Sequence, residues 1–436
     1  MVFEQFVDED LGCGSYLVGD AAAGEAVVVD PAFRIEQYVE AAERLGVKIV
    51  RVLETHTHAD HLSGHGRFAL EHGVPTSISR IAEAEYPHDP LDDGDVITVG
   101  GVSIRVVHTP GHRPEHCAFV VDEKRVLTGD SLFVGAAARP DLAVEAAEGA
   151  RDLFGSLKRL AQLGDDVEVF PGHVAGSLCG THMSPDRSTT IGKERETNAA
   201  LAIDDLETFV HQSADVKIPR PPTTSRVVGL NRGPWVAKPT PTPALEDAGD
   251  ALMIDVRPLT EYARGFVKGS ISIPLDAGSF GTRAAFLMRE DERVVLVAMT
   301  PEQVHEATWR LWAVGRLRVD GYLSHAEVSE QLPLISIQNF PDLYVLDVVQ
   351  VVDVREPAER ERVLLNSVAV PLREIRGDHP EIDKDKPLVT ICESGVRSAI
   401  AASVLLKEGY LARAVIGGGV NDLDPVFAVS AALVDE

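Results

Sequence analysis

The stretch THTHADHLSGH, residues 55 to 65, places His56, His58, Asp60 and His61 within six positions. Imidazoles and carboxylates are the side chains that hold divalent first-row metals, and in His-x-His both rings can face one side of an extended segment. Three further segments end in the same residue types: HTPGH at His112, LTGD at Asp130 and FPGH at His173. Each follows an apolar run and a glycine, so each carries its polar side chain off a strand end, where rigid scaffolds present chemistry. A single His or Asp in that place is an ordinary turn residue. Four such segments in one chain point to a metal cleft with His56, His58, Asp60, His61, His112, Asp130 and His173 as candidate ligands. A second centre lies far along the chain, where PLVTICESGVRSAIAASVLL sets Cys392 after an apolar run and before a helical pattern, with Arg397 close behind. Loop N–H groups and a helix N-terminus point at such a sulfur and stabilise its thiolate.

The elements that must position these residues are legible from periodicity. EAVVVDP reads as a strand, IEQYVEAAERLG as an amphipathic helix, and KIVRVLE as the strand that delivers the first histidines. VSIRVVHTPGH, HCAFVVD and KRVLTGD are further strands, each closing in a polar or glycine-rich turn. This is an α/β chain with sheets covered by helices. Between about 215 and 243 the run KIPRPPTTSRVVGLNRGPWVAKPTPTP is proline-rich, which predicts a linker or surface strap without regular helix or central strand. Beyond it the chain repeats itself. LMIDVRPLTEYARGFVKGSISIPL (252–275) has its counterpart in QVVDVREPAERERVLLNSVAVPL (350–372), with Asp255 and Arg257 matching Asp353 and Arg355. Each copy predicts a strand, a helical stretch and a short strand. Three domains are expected, at 1–242 (including the strap), 243–335 and 336–436.

The 436 residues suffice for two or three cores. A composition of 44% hydrophobic and 25% charged residues is that of a globular protein. No apolar run approaches the roughly 18 residues of a membrane helix, and the acidic N-terminus lacks the order of a secretory signal, so a cytoplasmic location is expected. The net charge of −27, from 41 basic and 68 acidic residues, disfavours nucleic acid and anionic membrane as partners. Small molecules and further copies of this chain, as a homo-oligomer, are the partners expected. The four cysteines are scattered, which excludes a disulfide framework or zinc ribbon. Cys13 and Cys117 lie in apolar strands and read as core. Cys179, six residues after His173 in a glycine-flanked loop, is placed to reach the cleft.

T-H-x-H-x-D-H, then T-P-G-H, G-D and G-H, resembles the signature of the metallo-β-lactamase fold over about residues 1–200. The resemblance implies an αββα sandwich, a fold that houses hydrolases such as glyoxalase II and also oxygenases. The spacing from His112 to Asp130, the segment GDSLFVGAAARPDL with Arg139 and Asp141, and the segments GHVAGSLCG and STTIGKERETN are similar to bacterial persulfide dioxygenases fused to rhodanese domains. The glutathione-gripping helical domain of glyoxalase II has no counterpart. AAA at 136–138 departs from the branch's pattern, which has a glycine before the arginine, and leaves the shape of the substrate pocket open.

That branch implies one Fe(II) per chain, held by His56, His112 and Asp130. Two imidazoles and a carboxylate on one face leave open positions for substrate and O₂. The implied reaction oxidises a small thiol persulfide, such as glutathione persulfide, to sulfite and thiol, in sulfide detoxification. His58, Asp60, His61 and His173 then orient the ligands or hold a second metal, and Arg139 and Cys179 are candidates for contact with the substrate thiol. The C-x-x-G-x-R-S of Cys392 resembles a rhodanese loop over about 338–436. It implies that sulfane sulfur passes through Cys392 between persulfide, sulfite and thiosulfate, with Arg397 adding charge. Glu393 stands where thiosulfate-using rhodaneses often carry a basic residue. In the first repeat, VVLVAMTPEQVHEATWRL has no cysteine at 298–304, so that copy is expected to be inactive. Two other readings compete: a Zn(II) thioester hydrolase of the glyoxalase II type with rhodanese modules, and a non-catalytic sulfur carrier, which the full ligand set weakens.

Overall fold

The structure, a computed structural model, describes residues 1–174, 184–215, 218–324 and 328–431; Cys179 lies outside the described residues. The chain divides into two compact units, Met1–Lys238 with Trp312–Gly315, and Pro239–Leu311 with Arg316–Glu436. Among the described residues no helix is long and apolar enough to cross a membrane.

The first unit is built on two six-stranded sheets. Strand alternation assigns each side chain to a layer. In Glu25–Val29, Val27 and Val29 join the core between the sheets, with Leu53, Ile104, Val106, Phe119 and Leu127. Ala26 and Val28 face the other way, onto Tyr38, Ala41 and Ala42 of the helix Glu36–Leu45 and Phe68 of the helix His65–His72. The second sheet does the same. Phe119 and Val121 point into the shared core, while Ala118 and Val120 pack on Leu153 and Leu157 of the helix Ala146–Leu160 and on Phe209 of Leu206–Ala214. The result is an αββα sandwich.

The strand directions explain why the candidate ligands meet. Arg125–Gly129 runs parallel to Glu168–Pro171, and both Arg125–Gly129 and Val102–His108 run antiparallel to Cys117–Val121. Three strands of the second sheet therefore end at one edge, and the segments that follow them carry His112, Asp130 and His173.

The proline-rich strap differs from expectation. Thr224–Arg232 is an α-helix. The prolines fall at 219, 221, 222, 234, 239, 241 and 243, all outside it, and a proline at the approach to a helix loses no intrahelical bond.

The second unit contains the repeat as two parallel sheets. In one, Leu252–Asp255 lies between Ile271–Ser272 and Val294–Val297, with Val319–Leu323 beyond. In the other, Gln350–Asp353 lies between Ser367–Ala369 and Leu388–Ile391, followed by Ala412–Ile416 and Leu334–Ser336. Asp255 pairs with Val297 and Asp353 with Ile391, so Ala298 stands at the position of Cys392. One hydrophobic cluster runs through both repeats, from Ile254 and Leu296 to Leu388 and Ala414. Residue 335, where a boundary was expected, lies within the strand Leu334–Ser336 of the second sheet. The helical stretch expected in both copies forms only in the first, as Leu259–Arg264. In the second a single 3₁₀ turn, Pro357–Glu359, leads into Arg362–Leu364, which is drawn into a ladder with Ala428–Ser430.

Candidate metal centre and Cys392 loop

His56 leaves the end of Lys48–Leu53, His112 follows Val102–His108, and Asp130 follows Arg125–Gly129. One ligand atom from each of these three buried residues lies within 4.8 Å of the others. Asp130 Oδ2 is 3.4 Å from His112 Nε2 and 3.9 Å from His56 Nε2.

The surroundings set the tautomers. His112 Nδ1 donates to the Arg139 carbonyl oxygen (3.1 Å), which leaves Nε2 with its lone pair toward Asp130. Thr55 Oγ1 gives its proton to Asp30 Oδ2 (2.8 Å) and therefore accepts from His56 Nδ1 (2.9 Å), so His56 Nε2 also presents a lone pair. Burial, together with the neighbouring His58 and His112, holds His56 well below the usual imidazole range; burial likewise lowers His112. Burial opposes ionisation of Asp130, but His173 outweighs it and the carboxyl falls below its ordinary range. His173 Nδ1 donates to Asp130 Oδ1 (2.7 Å) and turns Oδ2 inward.

Two glycines permit this packing. Gly129 has a φ of 47°, and a Cβ there would stand 2.6 Å from His116 Nε2; a Cβ on Gly172 would stand 2.6 Å from Asp130 Oδ1.

The remaining expected ligands separate into two further clusters. Cys13, Asp60, His61 and His173 form one, with the Cys13 sulfur 3.3 Å from His173 Nε2 and 3.4 Å from both Asp60 Oδ2 and His61 Nδ1. Cys13 is therefore not the plain core residue expected, although burial raises its pKa well above the usual thiol range. Cys117 does pack in the core between the sheets. His58 belongs to the other cluster, with its Nε2 3.0 Å from Glu54 Oε2 and 3.3 Å from Asp30 Oδ1. Burial works against its charge, but these two carboxylates hold the ring well above the usual range. Arg139, expected near substrate, has its guanidinium on Asp141 Oδ1 (2.6 Å) and on the Ile218 carbonyl (2.6 Å).

Sequence reasoning missed several residues that shape the centre. Asp30 and Glu54 each close a strand of the first sheet, as the histidine loop does, and that shared position was the available signal. His116 accepts the Asp130 backbone N–H at Nε2 (2.9 Å) and donates from Nδ1 to Thr109 Oγ1 (2.8 Å). Asn231, in the strap helix, gave no signal. Its Oδ1 accepts from Ser63 N–H (2.9 Å), and its Nδ2 donates to the carbonyls of His58 (2.9 Å) and His61 (2.8 Å).

One small cavity adjoins the histidine loop, and a groove shares part of its lining. The cavity is bordered by Ala59, Asp60, Leu142, Arg220, Pro221 and Thr224. The groove, of about 680 Å³, shares Leu142, Arg220, Pro221 and Thr224 with it and continues to Arg113 and Arg232.

In the second unit, Cys392 follows Leu388–Ile391 and precedes the helix Val396–Lys407. Its buried sulfur accepts the Gly395 N–H at 3.1 Å. Arg397 donates to Glu359 at 2.5 and 2.7 Å, and Glu393 takes a bond from Arg355 Nη1 at 2.8 Å. Asp353 accepts from Arg355 through N, Nε and Nη2, as Asp255 does from Arg257.

Comparison with known proteins agrees with this geometry. Residues 9–173 match the family described as the metallo-beta-lactamase superfamily, and residues 340–423 match the rhodanese-like domain. Over 230 residues the chain is 29% identical to the human (Homo sapiens) mitochondrial persulfide dioxygenase ETHE1, covering 52% of this chain and 85% of that protein. It is 30% identical over 240 residues to a hydroxyacylglutathione hydrolase of Gloeobacter violaceus, covering 46% and 92% respectively. The crystal structure of a metallo-beta-lactamase from Staphylococcus aureus subsp. aureus COL superposes with a TM-score of 0.68 at 28% identity, covering 74% of this chain and 98% of that one. With its N-terminal sandwich and its C-terminal Cys392 domain both matched, the chain belongs to the metallo-β-lactamase superfamily and carries a rhodanese-like domain in addition.

Proposed function

We propose that this protein is a non-haem Fe(II) persulfide dioxygenase that oxidises a small thiol persulfide to sulfite and thiol, joined to a sulfurtransferase working through Cys392. The observation that carries the reading is the convergence of His56 Nε2, His112 Nε2 and Asp130 Oδ2 in a chain that also holds a rhodanese-like domain. His56 Nε2 and Asp130 Oδ2 are buried without a hydrogen-bond partner among the described residues. Each such atom costs about 1–3 kcal/mol if left unmatched. A divalent cation matches this donor set, and His56, His112 and Asp130 would hold it.

Bound Fe(II) would supply the redox chemistry that joins a persulfide sulfur to O₂. The protein's own groups do the rest. Arg139 O and Thr55 Oγ1 fix the two rings, His173 aims the carboxylate, and His116 fixes the backbone of Asp130. The groove carries Arg113, Arg220 and Arg232, paired with Glu115, Asp141 and Glu83 respectively, and is where we place the thiol carrier. His173 also donates to Asp60 (2.9 Å), and His58 Nδ1 and His61 Nε2, like His56 Nε2, are buried without a hydrogen-bond partner among the described residues.

At Cys392 the Gly395 N–H stabilises an anionic sulfur. The persulfide arriving there passes its outer sulfur to an acceptor and regenerates the thiol. The first repeat, with Ala298 at the position of Cys392, is an inactive rhodanese-like copy in this reading. Similarity to the hydroxyacylglutathione hydrolase keeps a Zn(II) thioesterase as the second reading. Metal analysis of protein purified without chelator separates them: about one iron per chain supports the dioxygenase, and one or two zincs without iron support the hydrolase.

A further inference from the structure

We propose that the strap from Ile218 to Arg232 is a working part of the metal centre, with Asn231 as its positioning residue, so that metal binding and docking of the strap helix are one linked equilibrium. The inference rests on the metal reading above, but not on which metal or substrate is bound.

Both ends of the strap hold the backs of candidate ligands. At its start, the Ile218 and Pro219 carbonyls accept from the Arg139 guanidinium (2.6 and 3.4 Å), and the Arg139 carbonyl fixes His112 Nδ1. At its end, Asn231 satisfies three backbone groups of the histidine loop, at His58, His61 and Ser63. A side-chain amide has two donors and one acceptor oxygen. Here all are spent on one six-residue loop, about 170 positions away in the chain.

The grip continues inward. Ser63 Oγ donates to Glu54 Oε1 (2.5 Å), and Glu54 Oε2 is the partner of His58 Nε2 (3.0 Å). The helix Thr224–Arg232 has nine residues, too few to persist unless docked. Its buried residues, Val227 and Asn231, share one face at a spacing of four. The loop therefore holds the helix as much as the helix holds the loop. A ligand that tightens one must tighten the other by the same factor.

The test uses the full chain, Co(II) as metal probe, and two variants, Asn231→Ala and Asn231→Asp. Co(II) affinity is measured by chelator competition, the absorption spectrum reports the ligand field, and trypsin cleavage after Arg226 reports release of the helix. In the wild type, Co(II) should slow cleavage after Arg226. Asn231→Ala should lose about ten- to a hundred-fold in Co(II) affinity, show an altered spectrum, and lose most of the Co(II)-dependent protection. Asn231→Asp keeps the acceptor for Ser63 N–H but turns a carboxylate oxygen on the His58 and His61 carbonyls and should lose at least as much. If neither variant folds, Co(II)-independent cleavage after Arg226 in a wild type that binds Co(II) overturns the inference. Variants that bind Co(II) with wild-type affinity and spectrum, and are merely cut faster with and without metal alike, overturn the inference. A wild type that binds no Co(II) overturns the metal reading itself, and this inference with it.

Discussion

His116 is the residue on which the pH response of the metal-free first unit should turn. Burial, reinforced by His112, pushes its pKa down to about 3, from the ordinary imidazole value of about 6.5. In the unfolded chain the ring protonates as the pH falls through about 6.5; in the folded chain it resists until about pH 3. The unfolded state binds the extra proton, so stability contributed at neutral pH is lost as the pH drops through that window. Each pH unit below 6.5 costs about 1.4 kcal/mol, or about 2 kcal/mol between pH 7.5 and 5.0. His116→Gln removes the titration while keeping an acceptor for Asp130 N–H and a donor for Thr109 Oγ1. Urea unfolding of both metal-free proteins at pH 7.5 and 5.0, followed by hydrogen exchange in the strand Cys117–Val121, measures the difference. The wild type should lose about 2 kcal/mol more than the variant over this interval. Equal losses would mean that His116 is not held neutral by the fold.

His56→Ala, His112→Ala and Asp130→Ala should each abolish iron binding, measured by elemental analysis, and persulfide-dependent oxygen uptake; a variant with full iron and full activity breaks the triad assignment. His58→Ala and His173→Ala should retain some metal, with losses of about ten- to a hundred-fold. Cys392→Ser should keep oxygen uptake but form no thiosulfate from persulfide, because a serine hydroxyl carries no persulfide; undiminished thiosulfate turnover on chromatography would place the transfer on another residue. Asp353→Ala leaves the fully buried Arg355 guanidinium with Glu393 as its remaining carboxylate partner and should cost up to about 3 kcal/mol. Asp255→Ala should cost less, since Arg257 retains 14% side-chain exposure. Reaction of Cys392 with a thiol reagent under increasing urea ranks the two, and the reverse order would contradict the burial argument.

The parts of this molecule that were legible in its sequence are those with a local signature. Apolar, β-branched runs marked strands such as Glu25–Val29, and glycine-then-ligand endings marked His112, Asp130 and His173. The Asp-Val-Arg repeat showed itself because the same strand-end ion pair is built twice, at Asp255 and at Asp353. What stayed hidden depends on partners distant in the chain. Nothing around Asn231 records that its amide closes a loop at residues 58–63. Nothing in an apolar strand tells that the Cys13 thiol reaches His173. The strap was misread because proline content was taken over the whole segment, whereas helix formation depends on where the prolines fall, and residues 223–233 contain none. Likewise, a matching sequence pattern predicted a helix after Asp353, but pairing of Arg362–Leu364 with Ala428–Ser430 prevailed over local preference.

The most direct test of the central claim is the stoichiometry of the reaction itself. Iron-loaded protein is given glutathione persulfide, and dissolved oxygen and sulfite are followed together. Oxidation of one persulfide by one O₂ and one water gives one thiol, one sulfite and two protons. The account predicts one sulfite, free or taken up into thiosulfate, for each O₂ consumed, with no oxygen uptake by the Asp130→Ala protein. Sulfite-free, oxygen-independent turnover, or hydrolysis of a glutathione thioester by zinc-loaded protein with no oxygen consumed by the iron form, would contradict it.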